Sequence, residues 1–246
     1  MSIFSLSSAG PSVRAGPDIH LVSAASRTIL TSVLKEAELR GQLCLIGRRL
    51  YEKGLISSVE GNFSAVLEPG VVLCTPAGTC KGDLTPEQIV KITLEGRVID
   101  GAGAASSEVR IHLIAYQQRP DCNAVVHAHP PHATGFALAH KSIPDNLIPE
   151  AAHVLGPVAL CKFGMPGTAD LSDSLRPFLA DHKTFLLANH GAMTLGSSLM
   201  DAFYRMESLE QVAKIIINAE SLGGAQPLPP TAYEKLREQA LHGSLT

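Results

Sequence analysis

His127-Ala128-His129 carries two imidazoles two residues apart, directly after the apolar run Ala124-Val125-Val126. In an extended strand that spacing puts both side chains on one face, with Cα atoms about 6.6 Å apart, so the two rings can converge on one ion. Neutral imidazole is a strong ligand for zinc and neighbouring transition metals. His190 offers a third ligand: it follows a second apolar run, Phe185 to Ala188, and precedes Gly191, so it too should emerge at a strand end. Strand ends are where α/β proteins gather their sites. His132 has the spacing to replace either of the first two, but Pro130-Pro131 turns the chain and points it elsewhere. His112, His140, His153, His182 and His242 have no partner at ligand spacing and read as ordinary core or surface histidines.

Ser106-Ser107-Glu108 joins a loop of small residues to a predicted helix. Hydroxyls and free N–H groups at a helix N-terminus can hold an anion without Lys or Arg, although Ser106 or Ser107 can equally be an N-cap and Glu108 a charge that complements the helix dipole. Gly61-Asn62 and Thr75-Pro76-Ala77-Gly78 are further phosphate-loop candidates, and neither matches a Walker A motif or a dinucleotide fingerprint.

Helical periodicity at Leu30, Val33, Leu34, Leu43, Ile46 and Leu50 predicts one long helix or two short ones over Arg27 to Lys53, stopped at Gly54. Phe63–Leu67 and Val71–Thr75 read as a hairpin about Glu68-Pro69-Gly70, and Ile89–Thr93 with Arg97–Ile99 as a second. Helices are expected at Glu108–Gln117, Ala133–Ala139, Leu171–Leu179 (starting near Ser172 or Ser174), through Phe203 to Ile216, and at Tyr233–Leu241.

Hydrophobic residues make up 45% of the 246 residues and charged ones 17%, enough for one core. With no Trp, that core must be built from Leu, Ile, Val and Ala, which suits a sheet covered by helices, the doubly wound type first. The net charge of −3 argues against a nucleic-acid partner. The cysteines Cys44, Cys74, Cys80, Cys122 and Cys161 form no Cys-x-x-Cys pair and read as reduced thiols. Without a secretory pattern or an apolar stretch of membrane-spanning length, the expected location is the cytoplasm. Residues 1–22, rich in Ser, Gly and Pro, are expected to be a flexible arm, and 23–246 a single catalytic domain.

Taken in order, Gly61-Asn62-Phe63-Ser64, Thr75-Pro76-Ala77-Gly78, Ser106-Ser107-Glu108, Val125-Val126-His127-Ala128-His129 and Asn189-His190-Gly191 resemble the class II aldolase/adducin-head family, and within it the fuculose-phosphate aldolases. The likeness covers about Ala24 to Gly223, and five ordered motifs are far more specific than any one. It implies an αβα sandwich with a central, mainly antiparallel sheet in place of the doubly wound one, and a homotetramer with active sites between subunits. It also implies His127, His129 and His190 as ligands of a divalent metal, Zn2+ first and Mn2+, Co2+ or Fe2+ as alternatives. Glu108 becomes the acid/base, and Asn62, Gly78, Ser106 and Ser107 bind phosphate. The implied reaction cleaves a ketose 1-phosphate of fuculose, ribulose or deoxypentulose type to dihydroxyacetone phosphate and an aldehyde, through a metal-stabilised enediolate.

Two departures stand out. Ala77 replaces a hydroxyl-bearing residue often found in the family's Thr-Pro-x-Gly loop, which makes Lys81 a candidate replacement for one phosphate contact. Ile148 stands where the fuculose enzymes carry a tyrosine, leaving Glu150 and Tyr233 as candidates for a second proton carrier. The same chemistry would serve a decarboxylase of a keto sugar-acid phosphate, a dehydratase or a 4-epimerase, although the epimerases resemble a version with Asp in place of Glu108. A metal-free adducin-like scaffold has no reason to keep three ligands and the carboxylate.

Overall fold

The computed structural model describes residues 24–101 and 103–242. The chain divides into two units at Leu34 and Lys35, and apart from the start of the first helix everything below concerns the second. The expected arm, 1–22, lies outside the described residues.

The strands are β1 (Asn62–Glu68), β2 (Val71–Cys74), β3 (Val90–Thr93), β4 (Val98–Asp100), β5 (Ala124–Ala128), β6 (Val158–Cys161), β7 (Thr184–Leu187) and β8 (Gly191–Gly196). They form one sheet in the order β4-β3-β2-β1-β5-β8-β7-β6. Every neighbouring pair is antiparallel except β6 and β7. The sheet is therefore mainly antiparallel, and the doubly wound expectation from composition is corrected: β1–β2 and β3–β4 are hairpins, so no crossover helix separates them.

Strand alternation divides the core in two. Phe63, Ala65, Ala124, Val126 and Leu186 face the layer of α1 (Ala24–Glu52), α3 (Pro131–Leu138) and α5 (Leu199–Ser221), packing with Leu43, Ile46, Phe203, Met206 and Leu209. Val72, Ile92, Val125, Phe185 and Met193 face α2 (Val109–Gln118) and α4 (Ala169–Leu175), packing with Ile111, Leu171 and Leu175. Both faces are covered, as an αβα sandwich requires. Phe203 is fully buried, and truncating a side chain of that kind to alanine typically costs about 3–5 kcal/mol.

The periodic segments formed where predicted, with α1 a single helix ended by Gly54 in a left-handed conformation at φ 66°. The last helix, α6, runs Pro230–His242. The helix expected from Leu171 starts earlier, because the Thr168 hydroxyl accepts from Asp170 N–H and caps α4, a role Ser172 and Ser174 do not take. Strands β6 and β8 and a single wide turn at Ala151–Leu155 were not anticipated. The small residues of Gly191-Ala192-Met193-Thr194-Leu195-Gly196 carry little periodic signal, and β8 forms because it pairs on both sides, with β5 and β7.

Candidate active site

β5 lies between β1 and β8, and its register sets Asn62 on one side of His127 and Met193 on the other. Since Val125 faces the α2 layer, His127 does too, and it is fully buried there. His129 follows just past the strand and is fixed by its N–H bond to the Leu55 carbonyl, at 3.1 Å. His190 sits in the turn between β7 and β8, where its N–H donates to Leu187 O at 3.0 Å. The preceding Asn189 makes that turn with φ 56°, a conformation asparagine tolerates better than most side chains. Gly191 is required by space: a Cβ there would lie 2.5 Å from His129 Cδ2 and 2.7 Å from Ala128 O.

The three rings meet as a near-symmetric propeller, with centroids 5.0, 4.8 and 5.0 Å apart and planes crossing at 69°, 66° and 69°. One ligand atom from each lies within 4.8 Å of the others. In two of the rings the far nitrogen fixes the near one, while His190 Nδ1 is buried without a partner. His127 Nδ1 donates to the Ala192 carbonyl at 2.8 Å, and His129 Nδ1 faces the Glu60 carboxylate at 3.2 Å. That leaves two unprotonated Nε2 atoms 3.2 Å apart. Two lone pairs at that distance need a cation or a proton between them, so the donor set fits a divalent metal. Burial, followed by the charges of His127 and His190, lowers the His129 pKa to about 4, which keeps the ring in its ligating form at neutral pH.

Glu108 caps the start of α2 and closes the cluster from that side. Its Oε2 lies 3.3 Å from His127 Nε2 and its Oε1 3.0 Å from His190 Nε2. Burial acts to raise its pKa, but where His127 and His190 carry protons on the nitrogens facing it, their hydrogen bonds and charge outweigh that and hold it below the usual carboxylate range. Asn62 Nδ2 donates to Oε2 at 2.9 Å. Behind it, Asn62 Oδ1 meets His112 Nε2, His112 Nδ1 meets Ser64 Oγ, and Ser64 Oγ meets Tyr116 OH, each at 2.7 Å. Glu108, His112 and Tyr116 follow one another every four residues along α2, while Asn62 and Ser64 are two apart on β1.

The two small-residue loops lie side by side. Ala77 N–H donates to Ala104 O at 3.0 Å, Ser106 N–H to Thr75 O at 3.3 Å, and Pro76 bridges Ala105. Gly78 has φ 66° and open space around its Cα, and Ser107 is exposed. Ser106 Oγ accepts from Glu108 N–H at 3.4 Å, as a local cap would. Lys81 does not stand in for the missing hydroxyl of the loop: it is 1% exposed, and its ammonium is spent on the Val59 and Thr79 carbonyls at 3.0 and 2.6 Å. Tyr233 OH is bonded to Asp145 at 2.9 Å. Glu150 and Ile148 line a surface groove with Tyr204 and Glu207, to which none of the three clustered histidines contributes. His132 belongs to Glu210, which accepts from its ring at 2.7 Å and from the His132 and Ala133 backbone N–H groups, thereby capping α3.

Glu60, His112 and Gly191 escaped the sequence reading. For His112 a signal existed: it stands four residues after Glu108, hence on the same helix face. Glu60 lies two residues before Asn62, outside any strand, and only the tertiary fold brings it to His129.

A family model described as "Class II Aldolase and Adducin N-terminal domain" matches residues 41–217. The chain is 35% identical over 185 residues to the 3-oxo-tetronate 4-phosphate decarboxylase of Escherichia coli O6:H1, covering 74% of this chain and 87% of that protein. It is 33% identical over 204 residues to the 5-deoxy-D-ribulose 1-phosphate aldolase of Bacillus thuringiensis serovar kurstaki, covering 81% and 94%. Among solved structures, YgbL of Klebsiella pneumoniae, described as a putative aldolase/epimerase/decarboxylase, superposes with a TM-score of 0.77 at 31% identity, covering 82% of this chain and 99% of that one. With the matched model spanning most of the chain, the protein belongs to the class II aldolase and adducin N-terminal domain family.

Proposed function

We propose that the protein is a metal-dependent decarboxylase acting on a 3-oxo sugar-acid phosphate of the 3-oxo-tetronate 4-phosphate type, and that His127, His129 and His190 hold the metal. The observation that carries this reading is that, within one subunit, one carboxyl, Glu108, faces His127 and His190, while Tyr233 is bonded to Asp145 and Glu150 lines a separate surface groove. Loss of carbon dioxide from a 3-oxo acid needs one proton carrier. The C1–C2 bond breaks, its electron pair passes into the C3 carbonyl, and Glu108, having taken up a proton from solvent, passes it to C2, giving dihydroxyacetone phosphate and carbon dioxide. A retro-aldol cleavage needs a further base for the hydroxyl proton of the carbon that becomes the aldehyde. The 3-oxo-tetronate 4-phosphate decarboxylases among the relatives support the same choice.

Bound at the three imidazoles, a divalent cation, Zn2+ first on ligand type, supplies Lewis-acid polarisation of the substrate's oxygens. The chain's own groups do the rest. Asn62 orients Glu108, and the shelf of exposed Gly78 and Ser107 with half-buried Ser106 receives the phosphate at the N-terminal end of α2. We assign the active form to a homotetramer. Phe163 and Met165 are exposed on the loop leading to Gly167, which packs near Ser107, and a neighbouring subunit would cover them. Five free thiols and the absence, among the described residues, of a helix able to cross a membrane agree with a cytoplasmic location.

A second reading, an aldolase for a deoxypentulose or fuculose 1-phosphate, is favoured by the coverage of the 5-deoxyribulose 1-phosphate aldolase. Both reactions release dihydroxyacetone phosphate, so that product does not separate them. The test is to offer the zinc-loaded protein 3-oxo-tetronate 4-phosphate labelled with 13C at C1, and separately each ketose 1-phosphate. Enzyme-dependent labelled carbon dioxide, with no aldehyde from the ketoses, is the expected result. Aldehyde without carbon dioxide transfers the assignment to aldolase.

A further inference from the structure

We infer that His112, buried one layer behind the site, is a positioning residue: its Nε2–H fixes the Asn62 amide so that Nδ2–H engages Glu108 Oε2 and holds the carboxyl against the histidine cluster.

The directions of the hydrogen bonds follow from the end of the chain. An ionised carboxylate only accepts, so the Asn62 atom 2.9 Å from Glu108 Oε2 must be the donating Nδ2. The other amide atom is then the carbonyl oxygen, which only accepts, so His112 Nε2 must carry the proton in their 2.7 Å contact. A neutral imidazole with a proton on Nε2 has a bare Nδ1, which accepts from Ser64 O–H at 2.7 Å. Ser64 Oγ in turn accepts from Tyr116 O–H at 2.7 Å. Each donor from Tyr116 to Glu108 has one acceptor, and all the bonds point the same way.

The neutral state of His112 is secured by its surroundings. The ring is 1% exposed, and burial, followed by the nearby charge of His127, pushes its pKa down to about 3. A protonated ring would have a donor facing Ser64, forcing that hydroxyl to turn on Tyr116. A ring protonated on Nδ1 alone would turn a lone pair on the Asn62 oxygen, and the amide would flip its own oxygen toward Glu108. The second change removes the donor from Oε2; the first leaves it in place and breaks the link to Ser64. With the amide held, Oε2 keeps its amide donor and the carboxyl stays turned with Oε1 3.0 Å from His190 Nε2.

The inference rests on the proposed function only for its kinetic arm, and the test therefore has two. In zinc-loaded protein labelled with 15N in histidine, one imidazole that is lost from the spectrum in His112→Gln should show a protonated Nε2 and a bare Nδ1, unchanged between pH 5.5 and 8.5. A proton on Nδ1 overturns the inference whatever the reaction is. In turnover of 3-oxo-tetronate 4-phosphate, or of the ketose 1-phosphate found to react, His112→Leu should lower kcat about 10- to 100-fold with KM and zinc content unchanged, and His112→Gln, which keeps a donor, should recover most of it. In an Asn62→Ala background, His112→Leu should cost nothing further, since it acts through Asn62. An equal loss in both backgrounds, or no recovery by Gln, overturns the positioning role. Should His112→Leu fail to fold, Ser64→Ala, which deletes the donor to Nδ1, provides the same comparison.

Discussion

Glu108 Oε1 lies 3.0 Å from His190 Nε2, and its Oε2 lies 3.3 Å from His127 Nε2, so one carboxyl spans two of the three imidazoles. The proposed proton carrier and the candidate ligands are thus in contact but come from different elements. Glu108→Gln is expected to retain one zinc per chain and lose about 10²- to 10⁴-fold in kcat. His127→Ala should lose both metal and turnover. Metal analysis and steady-state rates on the two variants check this, and a Glu108→Gln protein of near wild-type rate refutes the proton role.

Glu60 orients His129 through Nδ1 at 3.2 Å and is itself held by the Ser57 backbone N–H at 2.7 Å. Replacing it with Gln should weaken zinc affinity about 10- to 100-fold through loss of a charged partner behind the ligand. Competition with a chelator measures the change. An unaltered affinity would mean that Leu55 alone orients His129.

Gly191→Ala tests the packing under the site. The added methyl must push His129 or the Ala128 carbonyl, and zinc affinity should fall roughly tenfold or more. The thermal transition of the metal-free protein should fall much less than the affinity suggests.

His112 makes the metal-free protein acid-sensitive in a defined window. Its folded pKa is lowered to about 3 from 6.5. As pH falls through 6.5 the unfolded chain takes up a proton that the folded ring refuses until about pH 3, so stability is present above the window and is lost as pH drops within it. The slope is about 1.4 kcal/mol per pH unit for one such group. Urea midpoints at several pH values between 7 and 4 should decline less steeply in His112→Gln than in the wild type.

Glu210 separates a structural role from a catalytic one. It accepts from His132 and Ala133 N–H at the start of α3, whose own N-cap position is Pro130 and provides no side-chain acceptor. Glu210→Ala should cost about 1–2 kcal/mol of stability and leave zinc stoichiometry untouched. Metal loss in this variant would place His132 closer to the chemistry than its bond to Glu210 indicates.

The sequence made the three-histidine cluster legible because strand periodicity alone aligns His127 with His129, and because Phe185 to Ala188 leads directly to His190. The hairpins were equally open to reading from Pro69-Gly70 and Glu95-Gly96. Strand β8 was not, since its stability comes from two neighbours distant along the chain and its residues are small. Lys81 misled for a related reason: a lysine beside a glycine loop looks like an anion ligand, yet the fold buries it against two carbonyls. His112 looked like core filling because its partners, Asn62 and Ser64, approach only when β1 packs beneath α2.

Two repeats of different pitch are interlocked where β1 lies under α2. Glu108, His112 and Tyr116 recur at one helical interval, and Asn62 and Ser64 recur at one strand interval. A single inserted or deleted residue between 108 and 116 would rotate the following part of the stripe by about 100°, and one between 62 and 64 would turn a side chain to the opposite face. The residues between these positions can change type, while the spacing that separates them cannot. Over evolutionary time, variation in length should be displaced into the surrounding loops, where substrate preference can change without re-aiming the carboxylate.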